Sequence, residues 1–355
     1  MQLLSIDPPP EPLEPAEPLE PALTPQERRR LRRLLRRRTR QLKIEVYPTY
    51  ATLEQITIKG KVYADRKVDE VDVDDSRFRN AVNTSRRFIV TEATMIWVKV
   101  IFAHEVRKVQ TDKDGIFSVT FEGVSGLTPG IHTVRVQLAE QNRKRVLASE
   151  STAHILVHNK NSDRVGVISD IDDTILQTFA TSKMRMLRTV FFSNYLTLHA
   201  VSEMSELYRA IHFGPQGDGY EATHYVSSSP DNLLGRLQQF LQHHHFPAGS
   251  MDLKSIALRR RPGRDSLFRH TDYKLGRIRK IFETYPHRRY VLFGDSGEHD
   301  PQIYRQIQQL FPDRVAAVYI HNVTGEDPYH SRFQGQFLFS DLERVRRDLK
   351  QRGLI

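Results

Sequence analysis

The chain has 355 residues, 39% of them hydrophobic, which is enough for two or three domains with proper cores. It contains no Cys, which excludes a disulfide framework, a thiolate metal site and a cysteine nucleophile. A formal net charge of +10 favours an anionic partner. The chain reads as soluble, and its lack of Cys fits a cytoplasmic setting; no apolar run approaches the ~18 residues a spanning helix needs, so any membrane contact is expected to be peripheral.

Residues 1–25 are rich in Pro and Glu with little to bury and predict a disordered leader; without a positive start and an apolar centre they are no signal peptide. Residues 26–43 predict a basic amphipathic helix. Nine arginines between Arg28 and Arg40 surround Leu31, Leu34 and Leu35, with Thr24 and Pro25 as start signals. A solvated helix docked on the next domain through its leucines and a helix lying on an anionic membrane surface fit about equally. At an anionic leaflet each basic residue contributes about 1 kcal/mol. Nucleic acid fits less well.

Residues 44–160 read as all-β. Ile56 to Tyr63 alternates, Phe88 to Phe102 is a long β-branched and aromatic run, and Gly115 to Phe121 follows a turn at Asp112 to Gly115. With Ile131 to Leu138 and His154 to Val157, about seven short strands predict a sandwich of the immunoglobulin or transthyretin type. It carries no catalytic cluster, so scaffolding, substrate presentation or an unknown protein partner is its expected role.

Residues 161–355 alternate strands with helices. Strands are expected at Val165 to Ser169, Thr223 to Ser227, Asp252 to Ile256, Arg289 to Phe293 and Val315 to Ile320. Helices are expected at Asn232 to His243, Lys274 to Tyr285 and Pro301 to Phe311. Such alternation predicts an α/β unit with a parallel sheet covered on both faces and its loops gathered on one edge.

Four of those loops carry chemistry. In VGVISDIDDTIL an apolar strand ends in Asp170, Asp172 and Asp173, whose mutual repulsion calls for a cation. A calcium loop is excluded, because the sixth position is Ile175 where Gly is needed. In YVSSSP, Ser227, with Ser228 beside it, offers hydroxyls and amides to an anion. Lys274 enters an amphipathic helix carried by Leu275, Ile278, Ile281 and Phe282. Tyr290 to Phe293 runs into Gly294, which permits a sharp turn, and then Asp295, Glu298 and Asp300, oxygen ligands suited to magnesium.

Asp170, Asp172 and Thr174 form the DxDxT signature of haloacid dehalogenase-type phosphatases. With GDSGEHDP, Ile303 and Tyr304, the chain resembles the magnesium-dependent phosphatidate phosphatases of the actin-patch family over about 155 residues. The resemblance implies a Rossmann-like haloacid dehalogenase fold and Mg2+ as cofactor. It implies Asp170 as nucleophile, Asp172 as the acid that protonates the leaving alkoxide, and Thr174 as a buttress of the turn. Ser227, Ser228 and Lys274 would bind phosphate. Asp170, Asp295 and the Asp172 carbonyl would bind the metal together with Asp300 or, close behind it, Glu298. The expected substrate is phosphatidate, hydrolysed to diacylglycerol and phosphate; a soluble phosphomonoesterase is the enzymic alternative and an adaptor acting through the β-sandwich the non-enzymic one. Asp231 follows Pro230 where the family often has an aromatic residue. A β-sandwich before the catalytic domain also resembles bacterial members of the family.

Residues 177–219 are expected to form a small helical cap, with an apolar patch from Met184 to Leu196 and a rim of Lys183, Arg185 and Arg188. Adjacent His243, His244 and His245 cannot converge easily on one ion and are expected to be a solvated helix end.

Overall fold

The computed structural model describes residues 41–65, 91–92, 94–139, 150–177, 199–201, 203–215, 217, 221–254 and 266–355. The leader at 1–25, the arginines from Arg28 to Arg40 and the apolar patch from Met184 to Leu196 lie outside the described residues.

Strands β1 (Gln41–Tyr47), β2 (Gln55–Asp65), β3 (Thr91–Glu92) and β6 (Ile116–Glu122) form one antiparallel sheet. There β1 pairs with one edge of β2, while β6 and β3 follow each other along the opposite edge. A second antiparallel sheet has the order β5 (Glu105–Gln110), β4 (Trp97–Phe102), β7 (Gly130–Leu138), β8 (Glu150–Val157). Side chains alternate in and out along β4, and Val98, Val100 and Phe102 meet Ile56, Ile58, Phe117 and Phe121 from the other sheet in one core.

Within the β-sandwich two boundaries differ from those expected. Gln41 to Lys43 belong to β1 and not to the basic helix, because Leu42 is buried in the sandwich core. The run from Phe88 to Phe102 is not one strand: the described part turns at Thr94 and Met95, where Met95 adopts φ 60°, and β4 begins only at Trp97.

The second unit is a six-stranded sheet, parallel throughout, with the order β13 (Ser250–Lys254), β12 (Thr223–Pro230), β9 (Val165–Ser169), β14 (Arg289–Asp295), β15 (Val315–His321), β16 (Phe337–Phe339). Helices α1 (Met204–Phe213), α2 (Leu234–His243) and α5 (Leu342–Gln351) pack on one face with Val167, Val291 and Phe293. On the other face α3 (Ser266–Thr284) and α4 (Asp300–Leu310) pack with Ile168, Leu292 and Val318. The chain leaves β9 toward β12 and returns to its opposite edge as β14. The switch in direction therefore falls at the carboxyl end of β9, where such sheets open a crevice.

Within the stretch expected as a cap, β10 (Leu176–Gln177) pairs with β11 (His199–Ala200), and α1 buries Met204, Leu207 and Tyr208 in the core. The end of the insert is thus part of the α/β unit itself. Helix α5 was not among the expected elements, although Asp341 caps it and Leu342, Val345 and Leu349 keep helical spacing.

Candidate active site

Asp170 is the first residue beyond β9, and its amide donates to the Phe293 carbonyl at 2.9 Å, joining the ends of two central strands. The amide of Ile175 then bonds the Ile171 carbonyl at 3.0 Å, closing a helical turn that passes through Asp173 at φ 56°. This turn places Asp172 against Ser227 and Ser229 of β12.

Asp295 ends β14 and Asp300 opens α4, where an acid in the first turn suits the helix dipole. Gly294 serves a different purpose from the sharp turn expected. It is extended, and a Cβ there would lie 2.5 Å from Oδ2 of Asp300, so the missing side chain lets Asp300 fold back against the strand. Ligand oxygens of Asp170, Asp295 and Asp300 lie within 4.8 Å of one another. Glu298 is outside that trio; its carboxylate sits 3.6 Å from Nζ of Lys274.

Lys274 belongs to α3, which begins more than two turns earlier, so it gains nothing from a helix start and differs there from the first-turn position expected. Its Nζ is 2.8 Å from Asp170 and 2.5 Å from Asp300. Burial opposes its charge, but Asp170, Asp300 and Glu298 outweigh burial and hold its pKa well above the ordinary lysine value. The acids are frustrated in turn. Burial and mutual repulsion push Asp170 and Asp295 well above the usual carboxylate range, against the pull of Lys274. Oδ2 of Asp170 and Oδ2 of Asp295 are buried without a hydrogen bond.

That donor set fits a hard divalent cation. Carboxylate oxygens with no hydrogen-bond partner, in a cluster that one ammonium only partly neutralises, are what such an ion relieves. Among the described residues this is the one group of acids and histidines close enough to share an ion. His243 to His245 instead end α2, with His244 set against Phe240 at 4.7 Å.

Asp172 is held apart from the trio. Its Oδ2 accepts from Ser227 at 2.8 Å and from Ser229 at 2.9 Å, and the Ser227 hydroxyl also accepts from the Ser229 amide. Burial and Glu298 raise its pKa to about 6, with the two serines pulling downward. Ser229, and not Ser228, is the partner of Ser227. In extended chain, residues two apart share a face and Ser228 points away, a period-two signal that the reading of the sequence left unused. Thr174 is buried beneath the turn with its hydroxyl unbonded. His321 was also missed: its Nδ1 is 2.8 Å from the Asp173 carbonyl.

Residues 165–322 match the model of the catalytic domain of phosphatidate phosphatase APP1. Phosphatidate phosphatase APP1 of Saccharomyces cerevisiae is 31% identical over 175 residues, covering 47% of this chain and 28% of the yeast protein. An uncharacterised protein of Schizosaccharomyces pombe is 28% identical over 169 residues, covering 46% of this chain and 26% of its own length. The chain thus spans little more than a quarter of these curated relatives. Among solved structures, a Bacteroides uniformis beta-glucuronidase aligns over 79% of this chain and 33% of its own, at 12% identity and a TM-score of 0.25, too loosely to inform the fold. The sheet and its acid-lined crevice define an α/β domain built around a carboxylate cluster. By sequence, residues 165–322 are similar to the catalytic domain of phosphatidate phosphatase APP1.

Proposed function

We propose that the protein is a magnesium-dependent phosphatase of haloacid dehalogenase-type fold that hydrolyses phosphatidate to diacylglycerol and phosphate. The observation that carries this reading is the division of labour among buried carboxylates. Asp170, Asp295 and Asp300 converge beside Lys274, while Asp172 is separately held by two serines near the midpoint of its titration. The match of residues 165–322 supports the substrate class.

Asp170, Asp295 and Asp300 would hold the metal, which when bound supplies charge neutralisation to the phosphoryl oxygens. Lys274 pulls Asp170 toward its ionised form against burial and adds a cation to the phosphate pocket. The carboxylate of Asp170 attacks phosphorus in line, the bond to the glyceryl oxygen breaks, and Asp172 gives that oxygen its proton. Asp172, now a carboxylate, takes a proton from water as the water attacks the aspartyl phosphate, releasing phosphate and restoring Asp170. Burial suits Asp172 to both steps, because a pKa raised to about 6 lets it exchange protons near neutrality.

The basic segment from Arg28 to Arg40 supports peripheral contact with an anionic membrane, and a cytoplasmic setting belongs to the same reading. No helix among the described residues is long and apolar enough to cross a bilayer. Phosphate release from phosphatidate in mixed micelles, set beside release from soluble phosphomonoesters, tests the reading. Magnesium-dependent hydrolysis favouring phosphatidate, lost in EDTA and in Asp170→Asn, is expected. Equal rates on both substrates would remove the lipid assignment, and an active Asp170→Asn would remove the mechanism.

A further inference from the structure

A cleft of about 640 Å³ separates the β-sandwich from α3, within the ~300–1,000 Å³ typical of small-ligand sites at domain interfaces. Its walls are fastened. The Met251 amide donates to the Pro48 carbonyl at 3.0 Å, the Tyr50 hydroxyl donates to the Asp252 carboxylate, and the Tyr285 hydroxyl donates to the Ala51 carbonyl at 3.2 Å. The segment after β1 is thereby tied to both β13 and α3.

Lys59 enters the cleft from β2, and Arg277 and Lys280 enter from α3, where a spacing of three residues puts them on one face. Most carboxylates around them are engaged. Asp252 takes the Tyr50 hydroxyl and lies 3.7 Å from Arg277, Glu54 pairs with Lys160 at 3.5 Å, and Glu283 pairs with Arg279 at 3.8 Å. Among the described residues, Lys59 and Lys280 have no acid within ion-pair reach. The surroundings of Lys59 are repulsive: burial, then Arg277 and Lys280, lower its pKa, and no acid opposes them. Two domains thus bring Lys59, Arg277 and Lys280 together around an empty space that Asp231 and Asp252 also line; Asp252 offsets charge on the side of α3, and Lys59 has no acid to offset its own.

We propose that this cleft is a second anion site, which takes a phosphate-bearing ligand with its charge between Lys59 and Lys280 and its uncharged part against Pro48, Tyr50 and Leu253. None of Asp170, Lys274, Asp295 or Asp300 lines it. Along α3, Lys280 lies roughly 9 Å beyond Lys274 at 1.5 Å per residue. The site is therefore separate from the catalytic centre, and its occupancy does not depend on what that centre hydrolyses.

Equilibrium dialysis with inorganic phosphate in EDTA tests the cleft, and variants at Lys59 and Lys280 separate it from the catalytic pocket. Wild-type protein is expected to bind one phosphate per chain and to gain thermal stability from it. The double variant Lys59→Ala with Lys280→Ala is expected to lose at least tenfold in affinity together with that gain. Its magnesium-supported hydrolysis of p-nitrophenyl phosphate should be unchanged. Lys280→Gln alone, on an exposed helix position, provides the same test should the double variant fold poorly. Dioctanoyl phosphatidate binding more tightly than phosphate marks the ligand as a lipid head group, and equal affinities mark it as the free anion. Phosphate binding that is absent in the wild type, or undiminished in both variants, overturns the proposal.

Discussion

Nδ1 of His321 lies 2.8 Å from the carbonyl oxygen of Asp173, joining the end of β15 to the turn that follows β9. A carbonyl can only accept, so Nδ1 carries the proton. Asp173 sits at φ 56°, a left-handed conformation unfavourable for a residue with a side chain, and the bond from His321 helps hold it there. Asp172 is the preceding residue, so its aim depends on that turn.

Replacing His321 with Leu should reduce turnover by about 10- to 100-fold, the range for loss of a supporting hydrogen bond around a reacting group. His321→Asn, whose amide nitrogen can reach the same carbonyl, should retain most activity. The loss in the Leu variant should be larger with an alkyl phosphate than with p-nitrophenyl phosphate, because a good leaving group has less need of the Asp172 proton. Steady-state rates on the two substrates check this.

Ser229→Ala should lower the rate by about tenfold, while Ser228→Ala should leave it nearly unchanged. Among the described residues only Ser227 and Ser229 donate to Asp172, and a hydrogen bond to a charged group is worth roughly 1.5–3 kcal/mol. Equal effects of the two substitutions would contradict the placement of the hydroxyls.

Lys274→Met should inactivate the protein and also destabilise it, because Asp170 and Asp300 would be left buried without their cation. Breaking a buried pair in this way costs about 3–5 kcal/mol. The loss should be greater in EDTA than in saturating magnesium, since a bound cation replaces part of the missing charge. Thermal unfolding under both conditions measures the difference.

His224 packs between the rings of Tyr50, Tyr285 and Tyr290, with Nδ1 2.6 Å from the Ser250 hydroxyl. Burial, then His158 and Arg288, hold its pKa well below the ordinary histidine value. The folded state therefore keeps it neutral, whereas the unfolded chain takes up a proton below about pH 6.5. Its contribution to stability is complete above that pH and declines as the pH falls. Urea unfolding of wild type and His224→Gln at several pH values between 7.5 and 5 should show a shallower acid decline in the variant.

The amino-acid sequence by itself determined the period-two strands, the alternation of strands and helices after Val165, and the acids at the ends of β9 and β14. These are local patterns, written in residues close together along the chain, and so are the spacings of the DxDxT and GDSGEHDP motifs. Only the tertiary structure decided which acids meet. Asp300 joins Asp170 and Asp295 because Gly294 leaves room for it, while Glu298 turns toward Lys274. The roles of Ser229 and His321 and the convergence of Lys59 with Arg277 and Lys280 depend on contacts between residues far apart in sequence. Such contacts are set by how the elements pack and leave no periodic trace in the chain.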